Sequence, residues 1–135
     1  MRILYLTPRE SWPLTSGAKL RDYYFLKHLS KRADITLIGF CQEEQTGKTA
    51  SGALSEFSHP TFLSKRSGHS VADIVGGIVT STPLPIRNYT SKQMSRLISV
   101  LCANNAFDIV HLEGIHMAGY VADCRVNNSL PAVFC

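Results

Sequence analysis

Residues 2–21 read RILYLTPRESWPLTSGAKLR and hold an apolar run, a proline-punctuated loop and the beginning of a helix. Strands of a parallel sheet are buried on both faces and therefore read as unbroken apolar runs, as residues 3–6 do here. Pro8 and Pro13 exclude the next segment from a helix or a central strand. Ligands of open parallel sheets collect at the carboxyl ends of strands, so this loop is predicted to belong to a binding site.

The rest of the chain continues an alternation of helices and strands. A helix from Gly17 to about Arg32 and a β-branched strand from Asp34 to Phe40 complete a right-handed unit with parallel strands. Cys41 to Gly52 is polar and predicts a surface loop, which leads into a short helix over 53–57. The later predicted elements are a short strand at 61–63, an apolar-striped helix after Ser70, a helix from a Thr90 and Gln93 capping box to about Asn104, a strand over 107–112, a helix over 116–123 and a strand over 130–135. This order predicts an α/β fold with an open, Rossmann-like, mostly parallel sheet and helices on both faces.

Length and composition are those of one globular domain. The chain has 135 residues, of which 44% are hydrophobic and 18% charged. No stretch approaches the roughly 20 apolar residues of a membrane span and no signal-peptide core is present, so a cytoplasmic protein is expected. The net charge of +4 favours anionic ligands weakly, an ordinary solvated surface being the alternative. No basic cluster with interleaved aromatic residues indicates a nucleic-acid partner.

Cysteine and histidine spacings do not indicate a metal site. Cys41, Cys102, Cys124 and Cys135 form no CxxC pair, so they are expected to be small buried thiols. We therefore predict neither a metal nor a bound cofactor. Lys65-Arg66 directly precedes the apolar-striped helix, which suits either peripheral contact with an anionic membrane or plain core packing.

Two stretches carry candidate chemistry. At Ser11 to Ala18, a phosphate or sugar could meet backbone N–H groups, because Gly17 permits close approach and the next helix points its positive end there. The alternative is that Gly17 only relieves a tight turn. Neither GxGxxG nor GxxxxGK[ST] is present, so the loop is neither a dinucleotide fingerprint nor a P-loop.

The second stretch is DIVHLEGIH, residues 108–116. His111 and Glu113 are two apart on a strand and therefore on one face. Glu113, at the carboxyl end, could accept a hydroxyl proton or bind a sugar, with assistance from His116. The alternatives are a buried, hydrogen-bonded histidine for His111 and a simple turn carboxylate for Glu113.

Taken together, residues 1–40 and FDIVHLEGIHMAGY at 107–120 resemble the group-1 (family 4) glycosyltransferases, retaining enzymes with two facing Rossmann-like domains (the GT-B fold). The resemblance covers nearly the whole chain. It implies that residues 1–135 are the N-terminal, acceptor-side domain. It also implies that the donor site for a nucleotide-diphosphate sugar, with its E-x7-E motif, belongs to a C-terminal domain not contained in this chain. The acceptor would be a glycan or a lipid-linked glycan.

The resemblance also implies roles for individual residues. The family's small-residue pair is usually Gly-Gly and here is Gly17-Ala18, and a second histidine of the family's strand motif is replaced by Glu113. The implied catalytic residues are Glu113 and His116, and the implied substrate-binding residues are Ser16, Gly17, Ala18, Arg21, Arg87 and Tyr89. One alternative is a non-catalytic binding or scaffold module complemented by a partner chain. An epimerase or dehydrogenase would need a glycine fingerprint that this loop lacks.

If the donor site belongs to another domain, the 135-residue chain will bind nucleotide sugars only weakly. Isothermal titration is expected to show affinities no tighter than millimolar. Micromolar affinity would contradict the assignment of this chain to the acceptor side.

Overall fold

The structure is a computed structural model that describes residues 1–64, 88–124 and 132–134. Its elements are β1 (Arg2–Thr7), α1 (Gly17–Leu29), β2 (Asp34–Cys41), α2 (Glu44–Leu54), β3 (His59–Ser64), α3 (Lys92–Asn104), β4 (Ile109–Leu112), a 3-10 helix (Ile115–Tyr120) that runs into the short α4 (Val121–Cys124), and β5 (Ala132–Phe134).

The five strands form one parallel sheet in the order β3-β2-β1-β4-β5. The central strand is β1, which places Tyr5 opposite Leu37 of β2 on one side and His111 of β4 on the other. The chain winds outward from β1 to β3 and then returns to build β4 and β5 on the opposite side of β1. A topological switch point therefore lies between the carboxyl ends of β1 and β4.

Alternate residues of the strands face two separate hydrophobic clusters, one on each side of the sheet. Tyr5 faces the first cluster, in which α1 and α2 contribute Leu26 and Leu54. Leu4 and Leu6 face the second cluster, in which α3 packs through Met94, Ile98 and Cys102. The predicted α/β fold with helices on both faces is thus confirmed. Cys41, Cys102 and Cys124 are buried free thiols, as expected.

The predicted loop between Cys41 and Gly52 is wrong, because most of it is α2. Gly47, Ala50 and Leu54 are buried along the side of α2 that packs on the sheet. A Cβ added at Gly47 would lie 2.7 Å from Cys41 Sγ, so this glycine permits close packing of helix on strand. The residues that suggested a short helix over 53–57 belong to the last turn of α2 and the turn after it.

Other predicted boundaries shift by a few residues. The end of α1 is Leu29, not Arg32, since residues 30–33 form a turn in which Arg32 N donates to Leu29 O at 3.0 Å. The N-cap of α3 is Ser91 and not Thr90, because Ser91 Oγ accepts from Met94 N. The predicted helix over 116–123 is mostly 3-10 in geometry. The helix predicted after Ser70, with Lys65 and Arg66, lies outside the described residues.

Within residues 1–64 and 88–124, no helix has both the length and the apolar character that crossing a membrane requires.

Gly47 and Gly52 of α2 form a matched pair for testing the packing of this helix. Alanine normally stabilises a helix by about 0.5–1 kcal/mol relative to glycine, and a Cβ at Gly52 meets no atom within 4 Å. Gly52→Ala should therefore raise the free energy of unfolding in urea. Gly47→Ala should lower it by about 1–3 kcal/mol, because the new Cβ overlaps Cys41 Sγ.

The double variant Gly47→Ala, Cys41→Ala removes the overlapping sulfur. Its loss of unfolding free energy should be smaller than the sum of the losses in the two single variants. Equal stabilisation by alanine at both glycines would contradict the close packing of α2.

Candidate functional site

The candidate site lies at the switch point and is built around Glu113. Glu113 is the first residue after β4, and its N–H donates to Leu6 O at 2.8 Å, which continues the ladder with β1 by one bond. Gly114 then turns the chain away from the sheet with a φ of 74°, a left-handed conformation that favours glycine. The side chain of Glu113 is consequently fixed at the end of the sheet, with a total exposure of 4% for the residue.

Three elements supply partners to the Glu113 carboxylate. The Tyr5 hydroxyl on β1 donates to Oε2 at 3.1 Å, and a guanidinium nitrogen of Arg21 on α1 donates to Oε1. His111 Nε2 on β4 lies 3.5 Å from Oε2. The predicted placement of His111 and Glu113 on one face is confirmed.

The imidazole of His111 is held by aromatic packing. Its ring stacks on the Tyr5 ring with centroids 4.3 Å apart and planes 10° apart, because these two residues are direct neighbours across the β1–β4 ladder. The Phe25 ring of α1 covers the pair at 5.3 Å from the imidazole. Among the described residues, His111 Nε2 has no well-formed hydrogen bond, so its contact with Glu113 is mainly electrostatic.

A second carboxylate, Asp22, extends the cluster into α1. The side chain of Asp22 is fully buried, and its oxygens lie 3.3 Å from Arg9 Nη2 and 3.4 Å from Arg21 Nη2. Arg21 therefore links Asp22 to Glu113. A separate pair, Lys19 Nζ to Glu10 Oε1 at 2.9 Å, ties the loop after β1 to the same helix.

The two carboxyl groups have opposite pKa shifts. Burial would raise the pKa of Glu113, but the adjacent His111 imidazole, the charge of Arg21 and the hydrogen bond from Tyr5 together place it below its ordinary value. Burial raises the pKa of Asp22, and the negative charge of Glu113 raises it further against the opposing effect of Arg9 and Arg21. Burial and the Glu113 charge also raise the pKa of Tyr5, which keeps its hydroxyl a donor. Glu113 is thus the stably ionised member of the cluster.

The loop after β1, whose Arg9 contacts Asp22, contributes further buried polar atoms. Ser11 Oγ and Arg9 Nε are buried, and neither has a hydrogen-bond partner within the described part of the chain. Buried polar groups are nearly always paired in native proteins, so such atoms indicate capacity for another contact. The candidate site therefore includes the loop as well as the ends of β1 and β4.

The predicted loop residues at the start of α1 lie on the surface. Ser16, Gly17 and Ala18 are exposed, and Ser16 Oγ caps the helix by accepting from Lys19 N at 3.3 Å. A Cβ at Gly17 would meet no atom within 4 Å, and Gly17 does not have a positive φ. Relief of a tight turn therefore does not explain this glycine. The space beside it leaves the first turn of α1 accessible.

The remaining predicted residues divide between two places. Arg21 and Glu113 are in direct contact, whereas His116 packs its ring edge-on against Tyr89 with centroids 5.0 Å apart. The Tyr120 hydroxyl anchors this second pair by donating to Tyr89 O and accepting from Ser91 N. Burial raises the pKa of Tyr120 to about 12. Arg87 lies outside the described residues.

Sequence reasoning missed Tyr5, Arg9 and Asp22 as members of the cluster. One signal for Asp22 was available, because Asp22 and Leu26 are four apart on α1 and share its buried side. A carboxylate on the apolar side of a helix requires a cationic partner. Tyr5 gave no such signal, since a tyrosine in a buried strand is ordinary core.

These features define the class of the molecule: a doubly wound α/β domain with a charged cluster at its switch point. In residues 1–64 and 88–124, no group of three His, Cys, Asp or Glu side chains is arranged to hold a metal ion. Comparison with known proteins finds no matching family model and no significantly similar curated protein.

The lowered pKa of Glu113 predicts a specific acid sensitivity. A carboxyl group whose pKa is lower in the folded state stabilises the fold above its unfolded pKa, ordinarily 4.5, and loses that contribution as the pH falls through the folded value. Glu113→Gln should lower the free energy of unfolding at pH 7 by about 1–3 kcal/mol, because a charge-assisted bond is lost. The difference from the parent protein should shrink as the pH falls below 4.5.

Denaturation in urea across this pH range measures the difference. Asp22 has a raised pKa, partly because of the Glu113 charge, so at low pH it favours the folded state more in the parent than in Glu113→Gln. The contribution of Asp22 therefore opposes the predicted convergence and does not produce it. Glu44→Gln, in an exposed pair with Lys48, is the control and should behave like the parent at every pH. A constant difference between parent and Glu113→Gln would contradict the ionised state of Glu113.

Proposed function

We propose that this chain supplies the N-terminal, acceptor-binding part of a retaining group-1 (family 4) glycosyltransferase. The complete enzyme would transfer a sugar from a nucleotide-diphosphate sugar to a glycan or lipid-linked acceptor. The proposal combines the resemblance of residues 1–40 and 107–120 to that family with the position of the charged cluster. It implies no bound cofactor.

The observation that carries the proposal is the ionised Glu113 carboxylate held at the switch point by Arg21. Open α/β sheets bind their ligands outside the carboxyl ends of the strands at such a point. A carboxylate accepts hydrogen bonds from sugar hydroxyls, and a guanidinium donates them. The side chain of Arg21 is 64% exposed although it contacts two carboxylates, so a ligand can reach it from solvent.

Other residues have proposed supporting roles. The exposed first turn of α1, with Ser16, Gly17 and Ala18, would form the lip of the site that faces the donor phosphates. The Ser11 hydroxyl, which has no hydrogen-bond partner among the described residues, lies in the loop between β1 and α1. His116 and Tyr89 form a ring pair that could pack against a sugar on the other side of Gly114.

One observation favours the alternative of a non-catalytic binding or scaffold module. Arg9 and Arg21 balance the charges of Asp22 and Glu113 one for one. Structural ion-pair networks also perturb pKa values without any catalytic role. In this alternative the cluster only joins α1 to the sheet.

Saturation-transfer NMR with a panel of oligosaccharides tests the proposal. A bound oligosaccharide should lose about tenfold in affinity on Arg21→Ala, since one charge-assisted hydrogen bond is worth about 1.5–3 kcal/mol. Arg96→Ala removes an exposed arginine of α3 and should leave the affinity unchanged.

The acceptor site would be overturned if no oligosaccharide bound to the chain. It would also be overturned if every bound oligosaccharide kept its affinity in Arg21→Ala. A stable complex with a second chain, formed equally well by Arg21→Ala, would then support the scaffold alternative.

A further inference from the structure

We infer that Cys102 and Cys124 form a thiol pair that hydrogen peroxide converts into a reversible disulfide between α3 and α4. This inference does not depend on the proposed glycosyltransferase function. Cys102 lies in the last turn of α3, and Cys124 is the final residue of α4.

Packing between the two helices brings the thiols together. The short α4 packs against α3, and both cysteines belong to the hydrophobic cluster that Leu4 and Leu6 face. Cys102 is 7% exposed and Cys124 is 2% exposed. The two side chains lie within hydrogen-bond reach of each other. Thiols this close need only a small side-chain movement to reach the S–S bonding distance of about 2.05 Å.

Cys41 provides a contrast, because it is buried to the same degree without a second thiol beside it among the described residues. Its exposure is 3%, and its sulfur lies against Gly47 of α2. Burial raises the pKa of the Cys41 thiol, as expected for an unreactive core cysteine.

The members of the pair differ from each other in acidity. The hydrogen bond from Cys124 lowers the pKa of Cys102, whereas that same bond and burial raise the pKa of Cys124. Cys102 is also the more exposed of the two. Since the thiolate is the reactive form of cysteine, Cys102 is the thiol that reacts first.

The reaction has two steps. The Cys102 thiolate attacks one oxygen of hydrogen peroxide, the O–O bond breaks, and the departing hydroxide takes up the proton that Cys102 released, which leaves a sulfenic acid on Cys102. The Cys124 sulfur then attacks the Cys102 sulfur, the S–O bond breaks, and water leaves with the proton of Cys124. Two thiols and one peroxide thus give one disulfide and two waters.

Access to the buried pair requires only a local opening. Cys124 ends a helix of four residues, and short terminal turns open at a small fraction of the global free energy of unfolding.

The disulfide would connect the oxidation state of the pair to the candidate site. The 3-10 helix that carries His116 runs into α4, and the Tyr120 hydroxyl already ties this segment to Ser91 at the start of α3. A covalent bond at Cys124 fixes the far end of the same segment to the last turn of α3. Oxidation should therefore stabilise the fold and restrict the segment that carries His116.

Peroxide treatment, alkylation and mass spectrometry test the inference. The starting protein is Cys135→Ser, because Cys135 lies outside the described residues and offers another thiol. No Lys or Arg lies between Arg96 and Arg125, so both cysteines of the pair fall in one tryptic peptide, residues 97–125. After peroxide this peptide should be lighter by two hydrogen atoms and carry no alkyl group, while Cys41 is still alkylated. Dithiothreitol should restore alkylation of the peptide at both cysteines.

The oxidised protein should also melt about 5–10 °C higher than the reduced protein. Cys102→Ala and Cys124→Ala should each abolish this rise. Cys41→Ala is the matched control and should form the disulfide at the same rate as the starting protein.

The inference would be overturned if both cysteines of peptide 97–125 remained open to alkylation after peroxide. It would also be overturned if Cys41 lost its thiol as fast as the pair, or if Cys102 were oxidised to a sulfinic acid without forming the disulfide. These outcomes are read from the starting protein itself, so they do not depend on the folding of the alanine variants.

Discussion

Burying the Glu113 carboxylate at the end of the sheet requires donors, and the rest of the structure is arranged to supply them. Tyr5 on the central strand and Arg21 on the first helix donate to its two oxygens, and His111 lies beside it. Each partner comes from a different element, so β1, α1 and β4 must all be in place for the carboxylate to be paired. An unpaired buried carboxylate would be costly, which couples the position of α1 to the register of β4 on β1.

This constraint explains the unusual distribution of side chains on α1. Asp22 lies on the side of α1 that faces the sheet, where two arginines balance its charge. Leu26 is the one apolar residue of α1 that is fully buried. Leu20 and Tyr24 are consequently left about half exposed on the side of α1 that faces away from the sheet. The charged cluster and these exposed apolar side chains are therefore two consequences of one helix orientation.

Much of the architecture was predictable because its signals are local. The apolar runs of β1 and β2, the strand–helix alternation and the shared face of His111 and Glu113 follow from periods of 2 and 3.6 residues. Local signals were also misleading. The polar, glycine-bearing stretch after Cys41 predicts a loop, but most of it forms α2. Gly47 belongs to this helix and is a glycine because Cys41 Sγ leaves no room for a Cβ. Thr90 has the capping-box spacing to Gln93, but Ser91 caps α3, since Ser91 is the extended residue whose hydroxyl accepts from Met94 N.

The sequence by itself determined the parallel sheet, the loop at its carboxyl edge and the place of Glu113 at the end of a strand. Only the tertiary structure decided that Tyr5 stacks on His111, that Arg21 reaches a carboxylate 92 positions away and that Asp22 is buried between arginines. The physical reason is that periodicity acts within one element, whereas these contacts depend on strand register and on the rotation of α1 about its axis. Both are set by packing between distant segments.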